Sequence, residues 1–215
     1  MGWLADKVQK WRDSIDRHGG AGKGARVTEG WEDSTSDLEA IARWSEAAQK
    51  RLAAEVRDGE ARRRIMLERS CVFVEEFGND DIKKLRELYR ETASPEAVLS
   101  AMREKGDRFG DPFIEDGAIV EIRKPRNPEA LAAAGNDAER LAAACYCPLA
   151  RESRNGLPLE YCCCSSGWYR GIYEGIFGSP VEVTVEKSLL NGDDLCRFII
   201  RAEGVTNEKG ISPSS

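Results

Sequence analysis

The sequence predicts an α+β fold: a mainly antiparallel sheet packed against helices, with a helical N-terminal half. Its first half repeats apolar residues at helical spacing, beginning with Leu4, Val8, Trp11 and Ile15. Near the other end VEVTVEK (181–187) and LCRFIIRAE (195–203) alternate with period two around Asn191-Gly192, a strong hairpin signal. Between these regions a strongly apolar helix is expected over 165–177, capped by Ser165 or Ser166 and stopped by Gly178 and Pro180.

In chain order, the first helix gives way to HGGAGKGA (18–25). No Ser or Thr follows Lys23, so a phosphate loop is disfavoured and a flexible linker expected. Ser36 and Glu39 form a capping box ahead of a helix with Leu38, Ile41, Ser45, Ala48 and Leu52 inward. Gly59 separates it from a helix through Ile65, Val72 and Phe73, with Cys71 near its end as a small buried hydrophobe. Asn79 or Asp80 caps the next, which turns Ile82, Leu85, Leu88 and Tyr89 inward. Ser94-Pro95 starts another and Gly106 stops it. After a loop, AIVEIRK (118–124) is β-like, and 125–139 is an excursion with a helical turn. The alanines of 139–147 favour helix, but the flanking β-like segments favour strand, so a strand is expected at 141–147. The chain thus divides into a helical region (1–105), a cysteine-rich α+β domain (106–203) and a loose tail (204–215).

The formal net charge of -6 argues against nucleic acid and anionic membranes as partners. No apolar run is long enough to span a bilayer. MGWLADKVQKWRDS lacks the apolar core and cleavage site of a secretory signal. Seven cysteines without such a signal point to a cytoplasmic, reducing compartment, where clustered thiols bind metal or do redox chemistry. The lone histidine, His18, reads as a solvated loop residue.

Six of the seven cysteines lie between Cys145 and Cys196. Cys145-x-Cys147 and Cys162-x-Cys164 are C-x-C pairs, and on an extended chain each pair points two thiols to one side. Together they supply four sulfurs, which suit zinc or, alternatively, an iron–sulfur cluster. Cys163 would point away, and thiol redox chemistry is a further alternative. The following helix repeats Gly167, Gly171 and Gly175 beside Trp168, Tyr169 and Tyr173. A ridge without side chains can seat a flat or apolar ligand, with Trp168, Tyr169, Tyr173 and Gly171 as its lining. Tight helix-on-sheet packing is the competing reading. Carboxylates are plentiful, but none forms a marked catalytic pair, so no reaction is assigned.

GWYRGIYEGIFGSPVEVTVEKSLLNGDDLCRF resembles the C-terminal signature of the vinyl-reductase-like, hydrocarbon-binding superfamily. Cys145-Tyr146-Cys147-Pro148-Leu149, Tyr161-Cys162 and Cys164-Ser165 resemble an uncharacterised bacterial and archaeal subgroup of it, over about residues 145–201. In sensor relatives the last cysteine of the signature binds structural zinc with an upstream Glu and Cys. The resemblance therefore implies Cys196 as a ligand, a fifth or a substitute. The upstream cysteine position falls at Ser188, and the nearest acid is Glu186. The expected protein is a cytoplasmic zinc-binding module that holds a small apolar or aromatic ligand, as a sensor would, and forms a homodimer. An iron–sulfur or thiol redox protein and a dimeric scaffold are the alternatives.

Overall fold

The computed structural model describes residues 2–34, 37–69, 79–106, 109–153 and 157–203. The fold is α+β. Helices α1 (Gly2–Gly19), α2 (Lys23–Val27), α3 (Leu38–Glu55), α4 (Gly59–Arg69), α5 (Asn79–Thr92) and α6 (Pro95–Glu104) come first. They precede strands β1 (Phe113–Glu115) and β2 (Ala118–Arg123), then short helices α7 (Pro128–Ala133), α8 (Asp137–Ala144) and α9 (Pro148–Glu152). Helix α10 (Cys163–Phe177) and strands β3 (Val181–Lys187) and β4 (Cys196–Ala202) follow. The sheet is antiparallel in the order β1-β2-β4-β3, so β4 lies between two strands that precede it in the chain.

Two hydrophobic cores form. In the first, Val8, Trp11 and Ile15 of α1 meet Leu52 of α3 and Ile65 and Met66 of α4, together with Cys145, Leu149, Tyr161 and Cys164 from far along the chain. In the second, Leu85, Leu99 and Met102 pack with Tyr169, Ile172, Tyr173 and Ile176 of α10 against Ile119, Phe198 and Ile200 of the sheet. Helix α10 therefore starts in one core and ends in the other.

Several local expectations are corrected. Residues 137–144 are helix α8 rather than strand: Asn136 accepts a hydrogen bond from Glu139 N–H, and this cap lets the alanine run follow its intrinsic preference. The glycine-rich 18–25 stretch is no linker, since α2 lies hard against α1 there. A Cβ on Gly24 would come 2.5 Å from the Arg12 carbonyl oxygen, and Gly24 N–H donates to Asp16. Asp37 is the N-cap of α3; Ser36, half of the expected capping box, lies outside the described residues, as does Cys71. The β3–β4 connection is longer than a two-residue hairpin. It holds a short 3₁₀ turn (Leu189–Asn191), and Gly192 takes a positive φ. His18 is no solvated loop residue: it lies in the last turn of α1 and its Nε2 is 2.9 Å from Glu68 Oε1.

Candidate metal centre

The two C-x-C pairs sit at helix ends rather than on strands. Cys145 is the C-cap of α8 and Cys147 the N-cap of α9, with Pro148 beginning that helix. Both have extended backbone angles, with a bend at Tyr146 between them. Cys162 ends a 3₁₀ turn (Leu159–Cys162) and leads into α10, whose first turn holds Cys163 and Cys164. On a helix, positions two apart diverge by about 200°. Cys162 and Cys164 are accordingly separated. Cys164 joins the first core, which also holds Cys145 and Cys147, whereas Cys162 lies beside Ser188 at the β3–β4 connection.

At that connection Ser188 is almost fully buried, and its Oγ is 3.0 Å from Cys162 Sγ. Leu189 N–H points at Cys196 Sγ from 3.4 Å. Asp193 fixes the turn by accepting from Ser188 N–H at 2.7 Å. Cys196 opens β4, opposite Arg123 of β2. The thiols also sense one another. Burial pushes Cys145 up to about 12, and Cys147 and Cys196 add repulsion. Burial raises Cys162 well above the ordinary thiol value, with Cys145, Cys196 and Cys147 adding to it. Burial likewise raises Cys196, and Asp193 adds to it, while Leu189 N–H, Ser188 and Arg123 oppose. Cys145, Cys147 and Cys196 thus each act electrostatically on Cys162. Cys163 stands apart, near Arg63, Glu160 and Glu60.

All six described cysteines are free thiols. Their donor chemistry fits a soft divalent ion, with a hydroxyl and a backbone N–H directed at the sulfurs. Among the described residues no group of three or more His, Cys, Asp or Glu side chains is arranged to hold an ion.

The aromatic face of α10 goes mainly into packing. Tyr169 and Tyr173 are buried, Trp168 is half-buried, and Gly171 faces open space. Gly175 is the close-packed member of the glycine series: a Cβ there would meet Ile82 at 2.8 Å. Tyr169 lies 4.6 Å from the Phe198 ring, centroid to centroid.

These tyrosines also reveal a residue that the sequence reading passed over. Glu121 of β2 has no solvent exposure, and its Oε1 accepts from Tyr173 OH at 2.7 Å. Burial raises its carboxyl to about 8, against the lowering effects of Tyr173 and Arg123. Arg123 Nε donates to Tyr169 OH at 3.1 Å, and its guanidinium lies 5.8 Å from the rings of Tyr146 and Trp168. The available signal was a single carboxylate inside the apolar run of β2.

A separate surface cleft of about 420 Å³ opens between the C-terminal ends of α5 and α10, lined by Arg86, Tyr89, Arg90, Ala93, Phe177 and neighbours. Among the described residues no helix is long and apolar enough to cross a membrane. Comparison with family models gives no match, and comparison with curated proteins and with solved structures gives none either, so the resemblance noted above rests on its own residues.

Proposed function

We propose that this chain is a cytoplasmic metal-binding protein whose ligands are Cys145, Cys147, Cys162 and Cys196, with zinc as the metal. What supports this reading is that these are free thiols, that Cys145, Cys147 and Cys196 all act electrostatically on Cys162, and that Ser188 Oγ lies 3.0 Å from Cys162 Sγ. Cys196 replaces Cys164 in the set expected from spacing. Ser188 and Cys196, the positions that the resemblance associates with zinc, both contact this cluster. Zinc would supply a closed, redox-inert tie among the three stretches. An iron–sulfur cluster would use the same sulfurs.

The test is metal content per chain after purification without oxygen, with an absorption spectrum. About one zinc and no visible colour is the expected result. Cys145→Ser, Cys147→Ser, Cys162→Ser and Cys196→Ser should each lower zinc retention, whereas Cys164→Ser should keep it. Metal-free protein with freely titrating thiols would defeat the reading. Iron with sulfide would move it to redox chemistry.

The small-ligand part of the reading is better supported at the α5–α10 cleft than on the buried faces of Tyr169 and Tyr173. Tyr89 and Phe177 meet edge to face at 4.9 Å there, and Arg86 and Arg90 line the same cleft. That composition suits a small aromatic carboxylate. Benzoate should shift the resonances of residues around Phe177; shifts confined to Trp168 would contradict this placement.

A further inference from the structure

A second surface cleft, of about 360 Å³, is lined by Lys10, Asp13 and Arg17 of α1, Glu68 of α4 and Arg170 of α10. Helix α4 packs against both α1 and α10, so its last turn lies between them. Lys10 and Arg17 are two helical turns apart on α1, a spacing that returns both to one face about 10 Å apart along the axis. Arg170 brings a third cation from another helix.

The two carboxylates of the cleft are already engaged. Glu68 Oε2 accepts from Ser14 Oγ at 2.8 Å and from Arg17 Nη1 at 2.9 Å, and Oε1 lies 2.9 Å from His18 Nε2. Burial works to raise the Glu68 carboxyl, but His18, Ser14 and Arg17 outweigh it and hold the group below its ordinary value. Glu68 therefore acts as an anchor for Arg17. Asp13 Oδ1 accepts from Gln9 Nε2 at 2.8 Å. The lining thus sets Lys10, Arg17 and Arg170 against Asp13 and Glu68, a local excess of positive charge on a chain whose formal net charge is -6.

We infer that this cleft binds a small phosphomonoester that also carries hydroxyl groups. The planar fork of Arg170 matches two phosphoryl oxygens, and Lys10 adds a point charge. Arg17, held by Glu68, completes the cationic side. Asp13 repels a second anionic group and accepts from a hydroxyl, so a polyol or sugar phosphate suits the cleft better than a diacid. The volume is that of a small-molecule site. No cysteine lines the cleft, so the assignment stands apart from the metal-centre reading.

The experiment titrates the full chain with glycerol 3-phosphate and, separately, with inorganic phosphate at matched ionic strength, followed by amide resonances. Glycerol 3-phosphate should shift Lys10, Arg17 and Arg170 saturably. Arg170→Ala and Lys10→Ala should each weaken binding about tenfold, as the loss of one charge-assisted contact does. Lys10 is exposed and Arg170 half-buried, so both variants should melt close to wild type. Inorganic phosphate should bind more weakly, and Asp13→Ala should remove that difference. No saturable shift, or undiminished binding in both Arg170→Ala and Lys10→Ala, would overturn the site. Equal affinity of wild type for the two probes would overturn the hydroxyl-bearing ligand class.

Discussion

Glu121 shows how burial converts a side chain into a pH-dependent stability term. Its folded carboxyl, raised to about 8, binds its proton more tightly than the unfolded chain does. The stabilisation is therefore complete below the unfolded carboxyl value near 4.3 and is lost as pH rises through about 8, at ~1.4 kcal/mol per pH unit in between. Urea unfolding of wild type at pH 5, 6.5 and 8 should show that decline, and Glu121→Gln should flatten it. Parallel curves for the two proteins would remove Glu121 as its source. Residue-level chemistry was only partly legible beforehand. The thiols of Cys145, Cys147 and Cys162 could be read as candidates from their types and spacing, and Cys196 from the resemblance. Glu121 could not, because it acquires its character from burial against Tyr173, 52 positions away.

At the level of elements, periodicity predicted much and spacing misled once. The alternation of β3 and β4 and the amphipathic α1 appear where the pattern put them, and α10 does too except that it starts at Cys163, ahead of the expected Ser165 or Ser166 cap. The strand expected at 141–147 failed because flanking β-like segments were weighed above an alanine run with its own Asn136 cap. Cys162-x-Cys164 was treated as extended, but the 3₁₀ turn runs straight into α10 and sends the two thiols apart. Glycines allow a sharp comparison between elements. Gly24→Ala puts a Cβ into the Arg12 backbone and should cost about 1–3 kcal/mol, because neither helix can give way cheaply. Gly171→Ala meets open space on a helix and should stabilise by ~0.5–1 kcal/mol. Equilibrium unfolding of both variants checks the contrast; equal effects would contradict the packing described for α1 and α2.

Over the whole molecule, both cores draw on residues either side of position 105. Arg62 of α4 and Glu160, just before α10, pair at 2.9 Å across the same division. A fragment of residues 106–203 should therefore lack a cooperative thermal transition, since Leu149, Tyr161 and Ile172 would lose their packing partners. A sharp transition in that fragment would show that the C-terminal part folds unaided. The position of β4 has a kinetic consequence. It is the last described strand in the chain, yet it lies between β2 and β3, so Cys196 joins the other thiols only after both neighbouring strands can receive it. Long-range pairings of this kind form late in folding. A metal bound across those thiols would act as a latch on a finished molecule rather than a seed for its assembly: it would slow escape from the native state and leave the rate of reaching it almost untouched.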